Sequence, residues 1–597
     1  MQGVIIGTNK EEQKLLVKLR DGKEVPIQLA EEVNTNNLGN DDPVDSLYDK
    51  TGYTVFISGL VYPNTKEFIG EQITVIGKES YPFEGSNWWQ KQATSLAAFW
   101  IRAQFEACLL DNSLNPLNCT KKPIPFNAYK YQTSITKGGF KRRQTLEEQI
   151  QETAVLSRLI YGLCSSYLLT GKSGILKAAK ALVDYQRKFM RQTIGNDQVY
   201  WIHALMDGKK IIASLQGDDQ GTIPLYEQIY CLAGLTQYYR ITKDYAIFSD
   251  IQKTMNFIDK KYWDKEKLGY FSHIDPKTFD PMQKSLGINQ AKKNWNSIGD
   301  HIPAFLMNLY LATNNPLYLK RLVELGDLIV DHFPDPNSPF VFERFDKNWQ
   351  PDLTYSWQQN RGVTGHNLKI AWCLTALYEL SGKQSFLKLA ERAADLMIEY
   401  GEDTQRGGWF DVMRRNDTNQ RHVWHNRKSW WQQEQGILAY YMLYSVTKDD
   451  RYLSAARRGA AFYNLSYLDK RDGGVYFDVT ATGLPYIDND IRADKGSHSK
   501  GGYHELELAY YAQLYTTLFV EKKDVNLYFQ PSNKDKDFFV QPIPFPKDSV
   551  LLTAVTINGK PYKKFNPDTF AIQLPSNGQP LNIRCTLSPK IVNKDWN

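Results

Sequence analysis

A short segment recurs five times along this 597-residue chain and restricts what it can fold into. It reads Tyr167-Leu-Leu-Thr-Gly-Lys, Tyr239-Arg-Ile-Thr-Lys-Asp, Tyr310-Leu-Ala-Thr-Asn-Asn, Tyr378-Glu-Leu-Ser-Gly-Lys and Tyr444-Ser-Val-Thr-Lys-Asp. Aligned on Thr170, Thr242, Thr313, Ser381 and Thr447, the copies are 72, 71, 68 and 66 residues apart. Each lies between two amphipathic runs, so each reads as the polar turn of an αα-hairpin. One hairpin cannot bury its apolar face alone. Five or more therefore stack into a ring or superhelix.

Helical periodicity predicts twelve helices, near 87–110, 145–169, 172–194, 224–241, 245–262, 297–312, 316–332, 364–380, 384–400, 429–446, 449–466 and 503–522. Twelve at hairpin spacing predict a mainly α protein built on an (α/α)6 barrel, six inner helices within six outer ones. The loops Leu268-Gly-Tyr-Phe271, Gly407-Gly-Trp-Phe-Asp411 and Gly473-Gly-Val-Tyr-Phe-Asp478 alternate with the turns and belong at the opposite rim. Before the helices, short β-branched runs split by turn residues predict a five-stranded, OB-like barrel. After them, Val550–Ile557, Asn558-Gly559 and Phe570–Leu574 predict a small antiparallel sheet. The expected division is 1–85, 86–524 and 525–597.

Composition excludes several function classes. A net charge of +6 over 72 basic and 66 acidic residues is too mild for nucleic acid or an anionic membrane. The charges of the N-terminal barrel are mixed, which favours an accessory packing role for it. No apolar run is long enough to span a bilayer. No signal-peptide pattern opens the sequence. Cytoplasmic residence is expected if Met1 is the native start, and export if a leader has been removed. Cys108, Cys119, Cys164, Cys231, Cys373 and Cys585 form no Cys-x-x-Cys, so no zinc site or disulfide framework is expected; most read as buried thiols. No phosphate-binding loop or dinucleotide fingerprint is present. The chain carries 36 Tyr, 28 Phe and 14 Trp, and those beside glycine and polar residues can stack on sugar rings.

Three of nine histidines stand at the starts of predicted inner helices: His301 in Gly299-Asp-His301, His366 in Thr364-Gly-His366-Asn367 and His504 in Gly501-Gly-Tyr-His504. A lone histidine is usually a hydrogen-bonded structural residue. Three at equivalent places in different hairpins converge on one barrel mouth. Imidazole titrates near neutrality and suits proton removal and return at a carbon acid.

These segments, with Ala371-Trp372, Lys428-Ser-Trp430-Trp431-Gln-Gln433, Lys500-x-x-Tyr503-His504, Ser157-Arg158-Leu-Ile-Tyr161 and Tyr226-Glu-Gln-Ile-Tyr230, resemble the N-acylglucosamine 2-epimerase and cellobiose 2-epimerase superfamily over about residues 90–525. That superfamily includes aldose–ketose isomerases. The resemblance implies an (α/α)6 barrel acting without metal or cofactor on a small reducing carbohydrate. It implies proton transfer at C2 through an enediolate, with His366 and His504 as the proton-transfer pair. His301 would assist ring opening, Arg158 would steady the oxyanion, and Trp430 and Trp431 would form a stacking wall. Tyr226, Trp372, Lys369, Gln435 and Tyr503 complete the expected substrate-binding set. The family pattern has glutamates where this chain has Ala304, Lys369 and Gln435, with Glu434 one residue before the last. Lys369, on the face of His366, is expected to lower that histidine's pKa as a like charge. Two rival classes remain. One is a glycoside hydrolase or polysaccharide lyase on the same architecture, using two carboxylates about 5–10 Å apart from among Asp218, Asp219, Asp300 and Asp411. The other is a non-catalytic carbohydrate-binding scaffold.

Overall fold

A computed structural model describes all residues except 40–42, 45, 66, 86, 106–108, 118–131, 137–138, 144–149, 356–358, 417–425, 487–494, 533–536, 576–580 and 591–597. Cys108 and Cys119 lie outside the described residues; Cys164, Cys231, Cys373 and Cys585 are buried free thiols.

The twelve expected helices are present: α1 Trp88–Phe105, α2 Thr153–Thr170, α3 Ser173–Phe189, α4 Leu225–Thr242, α5 Tyr245–Lys261, α6 Ile302–Thr313, α7 Pro316–His332, α8 Thr364–Ser381, α9 Gln384–Tyr400, α10 Trp430–Thr447, α11 Asp450–Ser466 and α12 Tyr503–Tyr515. Two inner helices carry a π-helical turn, Trp295–His301 ahead of α6 and Thr516–Val520 after α12. α1 ends earlier than its periodicity suggested, because Leu109–Leu110 pairs with Pro116–Leu117 as a short ladder. α2 starts late because Ile150–Glu152 forms a strand against Ala204–Met206.

The recurring segment is a helix C-cap with a fixed hydrogen-bond pattern. The hydroxyls of Thr170, Thr242, Thr313, Ser381 and Thr447 donate to the carbonyl four residues back. Each also accepts the N–H two residues on. The intervening residue is left-handed, and its N–H donates to the segment's tyrosine carbonyl. One side chain thus ends the inner helix and aims the chain at the outer one. Glycine fits the left-handed position at Gly171 and Gly382. Lys243, Asn314 and Lys448 adopt it at φ of 53°, 53° and 61° because the cap constrains both flanks. The last residue of three copies, Asp244, Asn315 or Asp449, then caps the next helix through its side chain.

α2, α4, α6 with its π-turn, α8, α10 and α12 contact one another in that order, and α12 contacts α2. Every residue of α2 from Thr153 to Leu169 is buried. The outer helices bury only one face, as in α9, where Phe386, Ala390, Ala393, Ala394 and Met397 point inward. The N-terminal strands β1 Gln2–Asn9, β2 Lys14–Lys18, β3 Glu24–Asn37, β4 Thr54–Val61 and β5 Phe68–Gly77 form a closed barrel in the order β1-β2-β3-β5-β4, with β3 and β5 parallel. It docks beside the helices through the Arg457–Glu84 pair (2.7 Å) and the Arg20–Glu402 pair (3.3 Å). At the C-terminal side, Val550–Ile557 pairs with Lys560–Tyr562 across Asn558 and Gly559, both at positive φ, as a type I′ turn requires. Segments flanking the strands of this sheet bond to the Thr-turn ends of the helices. Gln530 and Ser532 donate to the carbonyls of Ile241 and Thr242, and Tyr515 donates to the Pro544 carbonyl. Among the described residues, no helix is long and apolar enough to cross a membrane.

Candidate active site

At the opposite end, the residues entering an inner helix pair with those leaving the next loop. Ile223–Pro224 joins His273–Ile274, Lys293–Asn294 joins Arg344–Phe345, Arg361–Val363 joins Val412–Arg414, and Arg427–Ser429 joins Asp478–Thr480. The glycine loops tighten these joints. Gly408 is at φ +71°, and a Cβ there would lie 2.6 Å from Gln433 Oε1. The ladders bring the starts of α4, α8, α10 and the π-turn around one cleft of about 540 Å³, the size of a small-molecule site.

All three expected histidines line this cleft, as do Arg158, Tyr226, Trp430 and Trp431. Each histidine has a carboxylate partner on Nδ1. Asp300 Oδ2 is 2.6 Å from His301, Glu343 Oε2 is 2.7 Å from His366, and Glu434 Oε2 makes a short contact with His504. Such a partner fixes the tautomer and leaves Nε2 for the cleft. The carboxylates that the resemblance places three residues after the first two histidines are thus supplied from elsewhere. Asp300 comes from the π-turn, whose wider winding presents successive residues to the cleft; Glu343 comes from a loop. His366 stacks on Trp295 with centroids 3.5 Å apart at 19°, and His301 packs on Tyr230 at 4.4 Å.

Lys369 turns to Asp300. Its ammonium lies 3.3 Å from Asp300 Oδ1 and 4.1 Å from the Trp372 ring centre, beneath the cleft. Burial works against the charge of Asp300, but His301 and Lys369 hold its carboxyl well below the usual carboxylate range. Burial lowers the His301 pKa despite Asp300. Burial also drives His504 down to about 3, reinforced by Lys369 and Arg158. Gln435, Tyr503 and Trp372 are likewise absent from the cleft lining. Gln435 donates to Glu434 Oε2 at 2.7 Å. Tyr503 and Trp372 line a small deep void with Ala304, Asp300 and Glu507. Arg158 is buried with its guanidinium 3.6 Å from the Tyr230 ring centre, and its Nε has no hydrogen-bond partner.

The acids considered for hydrolysis are engaged. Asp219 holds His273 at 2.7 Å, Asp218 accepts from the Tyr355 hydroxyl at 2.5 Å, and Asp411 pairs with Arg427 at 2.7 Å. Behind them, His203 Nδ1 sits between the oxygens of Glu227 at 3.0 and 3.1 Å. Among the described residues, Glu434, His504 and Glu507 are the group whose donor atoms are spaced as a cation requires, within 4.8 Å of one another. Glu434 is hydrogen-bonded to His504 and Glu507 accepts from the Tyr161 hydroxyl, with the Lys369 charge beside them, so the chemistry of the set is that of a proton network.

The model of the N-acylglucosamine 2-epimerase (GlcNAc 2-epimerase) family matches residues 138–501, more than half of the chain. The chain belongs to this family. Among relatives of this epimerase-family chain, the cellobiose 2-epimerase of Ruminococcus albus is 23% identical over 356 residues, 57% of this chain and 83% of its own length. The D-mannose isomerase of Marinomonas mediterranea is 26% identical over 267 residues, 43% of this chain and 64% of its own. The fold is similar to a crystal structure of D-mannose isomerase, with TM-score 0.56 and 19% identity over 73% of this chain and 99% of that one. It is equally similar to the cellobiose 2-epimerase of Bacillus thermoamylovorans, with TM-score 0.56 and 16% identity over 72% and 98%. The relatives of this family member support an isomerase-class enzyme.

Proposed function

We propose that this protein epimerises or isomerises a reducing mono- or oligosaccharide at C2 by histidine-mediated proton transfer. The observation that carries the reading is the trio His301, His366 and His504, each with a carboxylate on Nδ1 and each lining one cleft. The ring opens with His301 assisting at the ring oxygen. One of His366 and His504 removes the C2 proton to leave a cis-enediolate. The other returns a proton to the opposite face of C2, or a proton returns to C1 and gives the ketose. Arg158 steadies the charge that develops on oxygen, and costs no reorganisation because it is already held against Tyr230. Trp430 and Trp431 offer apolar faces to the sugar. The succession of inner-helix contacts supports a closed (α/α)6 barrel over 86–524, between units at 1–85 and 525–597.

Incubation of D-mannose and of cellobiose with the protein in D2O tests this by NMR. Deuterium appears at C2 without chain cleavage, and His366→Ala and His504→Ala each slow its entry by roughly 10²–10⁴-fold. Release of new reducing ends would support the hydrolase. Binding without exchange would support the scaffold.

A further inference from the structure

Beneath His504 lies a pair of carboxyl groups that the proton transfer as described does not use. Glu434, on α10, and Glu507, one turn beyond His504 on α12, are each about 1% exposed. Glu434 Oε2 meets His504 Nδ1 and accepts from Gln435, while Glu507 Oε1 accepts from the Tyr161 hydroxyl at 2.6 Å. One carboxylate oxygen of each and a ring nitrogen of His504 lie within 4.8 Å of one another. Two carboxylates buried this close repel each other, which favours a proton on one of them. The remaining oxygens, Glu434 Oε1 and Glu507 Oε2, are buried without a partner.

We infer that Glu434 and Glu507 are a proton store that acts through His504, so that this imidazole relays a proton and stays neutral throughout. The inference rests on the epimerase reading of the same site. When His504 Nε2 takes the proton from C2, the C–H electron pair passes into the enediolate. The Nδ1–H bond breaks in the same step, and that proton moves to Glu434 Oε2. The carboxyl pair goes from one proton to two, and His504 changes tautomer without gaining charge. The reverse shift delivers a proton from Nε2 and restores the pair.

The surroundings favour such an arrangement. Burial disfavours an imidazolium at His504, and the charges of Lys369 and Arg158 add to it against the opposing charges of Glu507 and Glu505. Burial raises Glu434 and Glu507 to about 8 each, and the Glu434 charge adds to the rise at Glu507, so the pair exchanges a proton near neutral pH. The other groups facing the pair and His504 are Glu505, which is 3.3 Å from Lys500, Tyr161, Tyr503, Tyr511 and Cys373. Burial keeps those tyrosines and the thiol in their neutral forms, so the two glutamates are the groups able to take up the proton.

Two measurements separate this inference from the epimerase reading. The first needs no substrate: infrared difference spectra at pH 7 between the wild type and Glu434→Gln or Glu507→Gln show the loss of one protonated, buried carboxyl, apart from the absorption of Glu379 and Glu152, which burial also raises. Difference spectra without that loss overturn the inference. The second is C2 exchange of cellobiose and D-mannose in D2O. Glu507→Gln keeps the size of the side chain and an acceptor for Tyr161. It slows exchange roughly 10–100-fold and displaces the pH profile. Tyr161→Phe, which leaves both carboxyls in place, moves the profile with a smaller loss of rate. A Glu507→Gln protein with the wild-type rate and profile overturns the relay. A wild type that exchanges nothing overturns the epimerase reading, while the infrared difference still decides the carboxyl pair.

Discussion

Replacing Lys369 with methionine removes one charge and almost no volume, and its effect follows from the partner left behind. Lys369 is 3% exposed and its ammonium lies 3.3 Å from Asp300. Breaking a buried pair by removing one partner costs about 3–5 kcal/mol, because the other charge stays in a medium that cannot solvate it. Asp300 retains its bond to His301, so Lys369→Met belongs at the lower end, about 3 kcal/mol. Asp300→Asn strands the ammonium and costs about the same. The double variant leaves no unpaired charge and recovers about 2–3 kcal/mol of the summed loss. Urea unfolding followed by tryptophan fluorescence reads all three, provided the slope with denaturant is unchanged. If the two losses add to within about 0.5 kcal/mol, the groups are not coupled and the account of Lys369 as the counter-charge of Asp300 is wrong.

The carboxyl pair gives stability a pH dependence of definite sign. Glu434 and Glu507 are raised from 4.5 to about 8, so the folded state binds more protons than the unfolded one between those values. Their contribution is complete below the unfolded pKa and is lost as pH rises through about 8. The urea midpoint falls over that window, and falls less in Glu507→Gln. Thr242→Val deletes a buried cap hydroxyl that both donates to Tyr238 and accepts from Asp244, and costs about 1–2 kcal/mol in the same titration. Gly408→Ala forces a side chain at φ +71° against Gln433 and lowers the thermal midpoint measured by calorimetry.

The helical frame was readable because its punctuation is local. The Tyr-x-x-Thr segment contains the helix end, the left-handed residue and often the next N-cap within six residues, so its spacing reports the hairpin period directly. The histidines were readable for the same reason, each lying a residue or two from the start of an inner helix or, for His301, at the end of the π-turn. Their partners were not. Glu343 reaches His366 from a loop 23 residues upstream, and no periodicity connects the two. The π-turn at Trp295–His301 leaves no mark in the sequence, since a single wide turn keeps the apolar pattern intact while it shifts which side chains face the cleft. Helix spacing shows that Lys369 shares a face with His366, and not that its long side chain bends to Asp300. Glu507 carried a signal that was available, three residues after His504 on one helix face.

The C-terminal segments, bonded to the ends of α4 and α12, stand at the end of the helices away from the histidine cleft. On the epimerase reading, a sugar reacting at the histidines enters from the cleft side, anomeric carbon leading. For a chain of several sugars, the terminal unit with a free anomeric carbon meets the histidines, and the remainder lies among the loops that carry Asp218, Tyr355 and His498. On that reading, discrimination between long and short substrates falls to those loops.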